Sequence, residues 1–367
     1  MSTATTADLP FNKLNSFLKN GSRDRLPTKA DMHILAGWKN STLIGYNSAV
    51  TKFLAFQKSE KVIDFSLPIS QSALENFCVW AGRNAVSTNK GKISSKSLAK
   101  YIAGLRAWHT YHNETFPEGT KTRLDLLLKA SARFDESVPK TNAKKPIMLW
   151  HMVHLWKSLV HGDDFDKAVL DVCVVAFWGL ARLAEVTYVV KDGSINYADS
   201  ILVSDVVFTI SENLGDVVTL TVRNAKTAAP GEPQIITLCE QHHVLCPVAA
   251  IKRRLSETPA ANTSLFGYSS PRGRVHLTRS AVVGRMAAVL ADGGFVGLKG
   301  HSFRVGGASI RVALGMSHKD LCSLGRWKSN SYQLYVRRYS SKELKETRSL
   351  LKALKRNWKR MFSINHV

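Results

Sequence analysis

The sequence of 367 residues is poor in acidic side chains: 28 Asp and Glu stand against 51 Lys and Arg, which leaves a formal net charge of +23 at pH 7. A charge of this size excludes few folds but indicates an anionic partner, and nucleic acid is the partner that strongly basic surfaces most often bind. The apolar fraction of 44% excludes a chain that is disordered throughout. The length predicts about two domains.

Long hydrophobic runs and paired cysteines are also missing. The longest apolar run covers residues 168–181 and is interrupted by Asp171, so it falls short of the ~20 residues that a membrane span needs. The first residues, MSTATTADLPFNK, lack the basic start and apolar block of a secretory signal. The five cysteines are an odd number in a long chain, which argues against a disulfide framework and predicts a reducing compartment, cytosol or nucleus.

The common motifs of nucleotide and metal chemistry are absent. The sequence contains no GxxxxGKS/T phosphate loop, no GxGxxG and no HExxH. One cluster has metal-like residue types: Cys239, His242, His243 and Cys246. These residues are too crowded for the usual tetrahedral zinc spacing, so we expect no metal ion and no other cofactor. Cys246 is instead interpreted as a small apolar residue before a helix that begins at Pro247.

The apolar pattern predicts an α+β chain that is mostly helical. Residues 1–34 are polar and lack a period, which predicts a mobile N-terminal tail. Residues 35–136 carry four amphipathic patterns, which predict a small all-α domain. Residues 137–146, SVPKTNAKKP, are polar, basic and rich in proline, and we interpret them as a linker between domains.

Residues 147–340 predict a mixed domain. Residues 168–190 are interpreted as one buried helix. Helical patterns return from residue 247 onward, and residues 341–367 predict a basic C-terminal helix or tail. Segments rich in Val, Ile and Thr predict a small three-stranded antiparallel sheet, over residues 201–210, 217–223 and 233–238.

Residues suited to phosphate chemistry concentrate in this second half. His301 and Arg304 lie three positions apart at the start of a predicted helix, so both side chains can reach one anion. Arg182 stands in the nearly apolar stretch FWGLARLAEV, where an arginine is costly unless it is paired, and Glu185 is an available partner. Lys226 falls in the turn between two predicted strands.

Taken in chain order, these residues and the aromatic segment after them resemble the tyrosine recombinase (phage integrase) family. That family uses an Arg, a β-hairpin Lys, His-x-x-Arg, a His or Trp, and a nucleophilic Tyr. The string LGRWKSNSYQLYVR is similar to the eukaryotic, Crypton-type branch of mobile-element recombinases. The resemblance covers about residues 35–345, with the helical half similar to the family's core-binding domain. The matching residues are Arg182, Lys226, His301, Arg304, Trp327 and Tyr335.

The resemblance implies that the protein cleaves and rejoins DNA strands in site-specific recombination or integration. It implies a metal-independent reaction through a covalent 3′-phosphotyrosyl intermediate, with double-stranded DNA as partner, a tetramer on DNA, and location in the nucleus. Tyr335 would be the nucleophile and Lys226 would protonate the leaving 5′ oxygen. His301 would donate or accept a proton, and Trp327 would support the site.

The two matched arginines suit this chemistry on physical grounds. A guanidinium bonds two oxygens at once and never loses its charge, so Arg182 and Arg304 can stabilise negative charge on a phosphate without a metal. Glu185 is expected to orient Arg182 from behind.

Three positions leave alternatives open. Arg326 competes with Trp327 for a place over the phosphate, because an alignment without gaps moves the register by one. Tyr335 lies at about the family's usual distance after Arg304, but Tyr339 and Tyr332 are alternative nucleophiles.

Lys252 and Arg223 are alternatives to Lys226 as DNA contacts. The basic stretch over residues 337–360 is either a solvated face that screens DNA phosphates or a helix that packs on a neighbouring subunit, as in the family, and it could also serve nuclear import. At the level of function, a non-catalytic DNA-binding protein derived from a recombinase and an enzyme similar to a type IB topoisomerase remain alternatives.

Overall fold

The computed structural model of the chain describes residues 11–85, 91–138, 145–225, 228–229, 231–258 and 260–364. The chain divides into two compact units, Met1–Thr141 and Asn142–Val367, and each has its own hydrophobic core. The predicted fold class is confirmed, because the chain is mostly helical and contains one three-stranded antiparallel sheet. Among the described helices, none has the length and apolarity needed to cross a bilayer.

The first unit contains six α-helices in its described part. Its core is rich in aromatic rings, with Phe53, Phe77 and Trp108 fully buried. Ser94 caps α5, since its hydroxyl accepts a hydrogen bond from the Ser97 N–H at the first turn of that helix. The helices are α1 (Asn15–Leu18), α2 (Lys29–Ala36), α3 (Asn40–Ser59), α4 (Gln71–Ala81), α5 (Ser95–His112) and α6 (Lys121–Glu136).

The expectation of a mobile tail over residues 1–34 is wrong from residue 11 onward. Leu14 and Phe17 are fully buried in the core of the first unit, and the Trp108 indole N–H donates to the Lys19 carbonyl at 2.9 Å. α1 has only one turn, too short to show a helical period in the sequence, yet two buried apolar side chains are enough to hold it. Residues 1–10 and most of the expected linker over 137–146 lie outside the described residues.

The second unit combines seven α-helices and five strands in its described part. The helices are α7 (Leu149–Leu159), α8 (Asp164–Trp178), α9 (Pro247–Ser256), α10 (Arg279–Asp292), α11 (His301–Ala313), α12 (His318–Gly325) and α13 (Ser341–Ile364). The strands are β1 (Val206–Ser211), β2 (Gly215–Val222), β3 (Gln234–Cys239), β4 (Gly267–Ser270) and β5 (Gly273–His276).

The predicted sheet forms from β1, β2 and β3, in that order and antiparallel throughout. Val218 pairs with Leu238, and both side chains are buried in the core of the second unit. β4 and β5 form a separate hairpin that the sequence did not predict. These two strands have four residues each and carry glycine and serine, so they lack the apolar alternation that marks a strand.

The predicted buried helix over residues 168–190 is wrong beyond residue 178. α8 ends at Trp178, and a Cβ atom on Gly179 would lie 2.6 Å from the Ile236 side chain. Leu180 then adopts a left-handed conformation with φ of 48°, which turns the chain away from the helix axis. The chain continues into a short 3-10 helix, Leu183–Glu185, so residues 182 and 185 stand at the end of α8.

Two adjacent glycines let α11 approach its neighbours closely. A Cβ atom on Gly306 would lie 1.8 Å from the Ile147 carbonyl oxygen, and one on Gly307 would lie 2.1 Å from the Phe177 carbonyl oxygen. The sequence HSFRVGGAS therefore packs backbone against backbone at the end of α8. Gly300, directly before α11, lies against Leu183, the residue after Arg182, since a Cβ atom on Gly300 would lie 2.5 Å from the Leu183 side chain.

The predicted basic C-terminal helix is α13. Leu354 is buried in the core of the second unit, and Leu350 and Leu351 pack against that core. Thr347 on the same helix is also buried. In this chain α13 therefore covers its own unit with one face, while the lysines and arginines over residues 342–359 are exposed on the other.

Candidate active site

The end of α8 presents Arg182 beside a buried carboxylate. The Arg182 backbone N–H donates to Glu185 Oε2 at 2.9 Å, and its guanidinium donates to Glu185 Oε1 at 2.6 Å. Only 17% of the Arg182 side chain and 6% of the Glu185 side chain are exposed. The pairing of Arg182 with Glu185 that the sequence suggested is present in the structure.

Glu185 also binds Arg326, which lies 141 positions further along the chain. The Arg326 Nη2 group donates to Glu185 Oε2 at 2.7 Å. Burial alone would raise the pKa of Glu185, but the charge and hydrogen bond of Arg326, joined by those of Arg182, hold that pKa below its ordinary value. Glu185 is therefore a carboxylate that aligns two guanidiniums.

Arg304 lies fully buried on α11 and donates to two backbone carbonyls, those of Leu180 and Gly325, the second at 2.6 Å. These bonds tie the end of α8 to the end of α12. Burial, with the positive charges of Arg182 and Arg326 close by, lowers the pKa of Arg304 to about 10. The guanidinium stays charged at neutral pH, so it adds positive potential to the site.

Two aromatic rings cover the Arg304 guanidinium. Its carbon atom lies 4.3 Å from the centre of the Trp327 ring and 5.3 Å from the centre of the Tyr335 ring. The Trp327 ring packs onto Gly325, where a Cβ atom would lie 1.8 Å from it. The Trp327 ring therefore packs between Gly325 and the Arg304 guanidinium.

Tyr335 ends a 3-10 helix, Asn330–Tyr335, that follows α12. Its ring centroid lies 4.8 Å from that of His301 and 5.2 Å from that of Trp327. Ser309 on α11 anchors the segment, because its hydroxyl accepts a hydrogen bond from the Arg337 backbone N–H at 2.8 Å. Ser309 carries no signal in the sequence beyond its place in HSFRVGGAS.

The alternative tyrosines lie elsewhere. The Tyr339 hydroxyl is buried and has no hydrogen-bond partner among the described residues, and burial raises its pKa well above the ordinary value. The Tyr332 ring lies against His318, with ring centroids 5.3 Å apart. Of the three tyrosines, Tyr335 is therefore the one that lies beside both His301 and Arg304.

A cavity of about 240 Å³ opens in front of Tyr335. Two of the three guanidiniums described above, those of Arg182 and Arg326, line it. The full lining consists of Arg182, Arg326, Trp327, Lys328, Ser329, Ser331 and Tyr335. The cavity thus combines a phenol, permanent cations and hydroxyl groups, which is a setting for an anionic group such as a phosphodiester.

The predicted hairpin lysine, Lys226, lies outside the described residues. Its two alternatives are each paired with an acidic side chain: Arg223 Nη1 donates to Asp205 Oδ2 at 2.6 Å, and Lys252 Nζ donates to Asp216 Oδ2 at 2.6 Å. Neither alternative lines the cavity in front of Tyr335.

Two of the four residues in the Cys and His cluster, His243 and Cys246, are buried, whereas His242 is exposed. Cys246 is buried directly before α9, which begins at Pro247 as expected, and His243 is fully buried. In the part of the chain that the structure describes, no three His, Cys, Asp or Glu side chains are placed to share a metal ion.

A scan against protein-family models and a search of curated proteins find no match to this chain. Solved structures do match. The XerH site-specific recombinase bound to difH substrate aligns in its pre-cleavage complex with a TM-score of 0.50 and 13% identity, over 84% of this chain and 79% of that one. Its post-cleavage complex on palindromic difH substrate aligns with a TM-score of 0.51 and 13% identity, over 80% of this chain and 75% of that one. The Tn1549 transposon integrase in complex with transposon right end DNA aligns with a TM-score of 0.50 and 13% identity, over 88% of this chain and 97% of that one.

The chain has the tyrosine recombinase fold. Identities this low show the fold and do not assign roles to single residues. Within this tyrosine recombinase fold, the structure brings together five residues that the sequence had matched separately to the family, at one end of α8 and α11. They are Arg182, His301, Arg304, Trp327 and Tyr335.

Proposed function

We propose that this protein cleaves and rejoins DNA strands through a covalent bond between Tyr335 and a 3′ phosphate. The observation that carries the proposal is the position of the Tyr335 ring on the wall of a cavity that the guanidiniums of Arg182 and Arg326 also line. A phosphodiester in this cavity would have a nucleophilic oxygen on one side and permanent positive charge on the other.

In the proposed step, the Tyr335 phenol oxygen attacks phosphorus while the bond from phosphorus to the 5′ oxygen breaks. The phenol proton passes to His301, whose ring lies beside that of Tyr335. A proton from Lys226 goes to the leaving 5′ oxygen, a role that rests on the resemblance alone. Attack by a 5′ hydroxyl on the tyrosyl phosphate reverses the exchange, so the strand is rejoined without any other source of energy.

The arginines supply the charge that the reaction needs. In the transition state, negative charge builds up on the two non-bridging oxygens of the phosphate, and cations already in place stabilise it most. Arg182 lines the cavity, and Arg304 adds its charge from beneath the Tyr335 ring. We therefore propose that the reaction proceeds without a divalent metal ion.

The proposed substrate is double-stranded DNA, and the proposed reaction is site-specific recombination or integration by a tetramer on DNA. The net charge of +23 supports a polyanionic partner. Because bound Lys and Arg release counterions from DNA, affinity is expected to fall steeply as salt concentration rises.

The proposed branch of the recombinase family and the proposed location in the cell rest on the sequence alone. The string LGRWKSNSYQLYVR supports a relation to Crypton-type recombinases of transposable elements, and a protein of that kind acts on DNA in the nucleus. A fluorescent fusion of the full chain, expressed in a eukaryotic cell, tests the location. Fluorescence that stays in the cytosol would contradict the nuclear assignment.

The decisive experiment traps the covalent intermediate. Purified protein is incubated, in excess chelator, with a library of duplexes that carry a randomised segment and single-strand nicks. After denaturation, DNA that remains attached to protein is recovered on a filter and sequenced. We expect protease-sensitive adducts from the native chain and none from Tyr335→Phe, which removes one hydroxyl and little volume.

Tyr332→Phe is the matched control, since Tyr332 lies in the same 3-10 helix but against His318. Adducts that survive in Tyr335→Phe would disprove the proposed nucleophile. DNA binding without any adduct from the native chain would favour the non-catalytic alternative. Adducts on a DNA-bound monomer that relaxes supercoiled DNA would favour the topoisomerase alternative.

A further inference from the structure

Arg326 ends α12 in an uncommon backbone conformation. Its φ of 57° and ψ of 42° lie in the left-handed region, where glycine or asparagine usually terminates a helix. The Arg326 N–H donates to the Cys322 and Ser323 carbonyls, so this turn closes the helix. This turn therefore carries a long cationic side chain at a position where most helices have glycine or asparagine.

The Arg326 side chain is 8% exposed and is held by polar contacts. It donates to Glu185 Oε2 at 2.7 Å and to Gln234 Oε1 at 3.4 Å. A guanidinium has five N–H donors, so these contacts use only part of its capacity. Its Nε atom is buried and has no hydrogen-bond partner among the described residues.

Arg326 and Arg182 are the two guanidiniums that line the cavity in front of Tyr335, whereas the Nη groups of Arg304 donate to backbone carbonyls. Both cavity arginines bind the single carboxylate of Glu185. Two positive charges therefore face one negative charge, and Arg304 behind them adds a third positive charge. This imbalance is relieved when an anion enters the cavity.

We propose that Arg326 is a catalytic residue that contacts a non-bridging oxygen of the DNA phosphodiester beside Arg182, with Glu185 aligning the two. The proposal rests on the proposed function and deepens it, because it adds a third arginine to the pair matched by sequence. Trp327, the neighbouring residue, packs on Gly325 and on the Arg304 guanidinium.

A purely structural role for Arg326, as the counter-ion of Glu185, makes a different prediction. A contact to a charged oxygen loses its value when that oxygen is replaced by a methyl group, because a methylphosphonate carries no negative charge. A structural contact is indifferent to the substrate. The ratio of native to variant rate on the two substrates therefore separates the roles.

The experiment uses a duplex recovered from covalent trapping with the native chain, synthesised with either a phosphodiester or a methylphosphonate at the cleaved position. Rates of adduct formation and DNA affinities are measured for the native chain, Arg326→Ala, Arg326→Lys and the control Arg285→Ala. Arg285 is a comparable choice because it forms an ion pair with Asp166 at 2.7 Å and does not line the cavity.

We expect Arg326→Ala to slow cleavage of the phosphodiester about 100-fold or more, with DNA affinity changed by less than about fivefold. On the methylphosphonate the gap to the native chain should shrink to about tenfold or less, and Arg285→Ala should match the native chain on both substrates. An equal loss on both substrates, or phosphodiester cleavage within about threefold of native, would overturn the proposal.

Arg326→Lys is included in case Arg326→Ala does not fold. It keeps the charge and most of the volume of the side chain but loses the fork geometry of the guanidinium. If Arg326→Ala has a clearly lower melting temperature than the native chain, the two substrates are compared with Arg326→Lys instead. A native-to-variant ratio of cleavage rates that is as large on the methylphosphonate as on the phosphodiester overturns the proposal. Failure of the proposed function looks different, because the native chain itself would then form no adduct on either substrate.

Discussion

The phenol ring of Tyr335 lies against the imidazole ring of His301, with their centroids 4.8 Å apart. One residue opens α11 and the other ends the 3-10 helix after α12. Ser309, on α11, binds the backbone at Arg337 and so fixes the segment that carries Tyr335. The proposed proton transfer from Tyr335 to His301 rests on this ring contact.

Changing Tyr339 should affect stability and leave the adduct intact. Its hydroxyl is buried without a hydrogen-bond partner among the described residues, so Tyr339→Phe removes an unsatisfied polar group. We expect the free energy of unfolding to rise by about 1 kcal/mol, measured by chemical denaturation. Loss of the covalent adduct in Tyr339→Phe, with adduct retained in Tyr335→Phe, would move the nucleophile four residues along the chain.

Glu185→Gln should destabilise the second unit in a pH-dependent way. The change leaves two cavity guanidiniums without their carboxylate, so the free energy of unfolding should fall by about 3 kcal/mol at pH 7. Arg326 and Arg182 outweigh burial and lower the pKa of Glu185 in the folded protein. The stabilisation is therefore complete above the ordinary pKa of 4.5 and is lost as pH falls through the lowered value.

Denaturation midpoints of the native chain and Glu185→Gln, compared from pH 7 down into the acid range, check this prediction. The two should converge as Glu185 becomes protonated. Glu212→Gln, in the exposed turn between β1 and β2, is the control and should follow the native chain at every pH. A difference that stays constant with pH would mean that charge is not the cause.

Lys226→Ala should be rescued by the chemistry of the leaving group. If Lys226 protonates the leaving 5′ oxygen, its loss should slow cleavage about 100-fold or more on normal DNA. A duplex with sulfur in place of that 5′ oxygen needs no proton donor, because a thiolate leaves unaided. Adduct formation on the sulfur substrate should be close to native, and a slow reaction on both substrates would assign Lys226 to DNA binding.

The glycines of α11 and α10 offer a matched pair of substitutions. Gly306→Ala puts a Cβ atom on a backbone carbonyl, that of Ile147, which cannot move aside, so the free energy of unfolding should fall by about 3 kcal/mol. Gly284→Ala lies in α10 with no atom within 4 Å of the added Cβ and should stabilise the helix by about 0.5–1 kcal/mol. Equal effects at both sites would contradict the close packing of α11 on its neighbours.

Local patterns determined most of the fold. Apolar spacing predicted the long helices, and Val, Ile and Thr runs predicted the three strands, because these signals act between residues close together in the chain. The patterns failed where local signal was weak. The one-turn helix α1 is held by burial of Leu14 and Phe17. The β4–β5 hairpin has too few apolar residues to be predicted from apolar alternation.

Some features of the candidate site could likewise be predicted from the sequence, and others depend on tertiary structure. The sequence by itself determined the residue types and their order, and the HSFRVGGAS string already contained the glycines that permit close packing and the serine that anchors Tyr335. The resemblance favoured Trp327 over Arg326 and Tyr335 over Tyr332 and Tyr339, but the sequence does not give the direction that each of these side chains takes. Tertiary structure decided those directions.

The left-handed turn at residue 326 aims Arg326 at Glu185, a carboxylate 141 positions away, and leaves the Trp327 ring to pack on Gly325. Burial of the Tyr339 hydroxyl leaves Tyr335 as the tyrosine on the cavity wall. Contacts between residues far apart in sequence depend on how whole helices pack, and packing is a property of the assembled chain, so no local pattern can specify it.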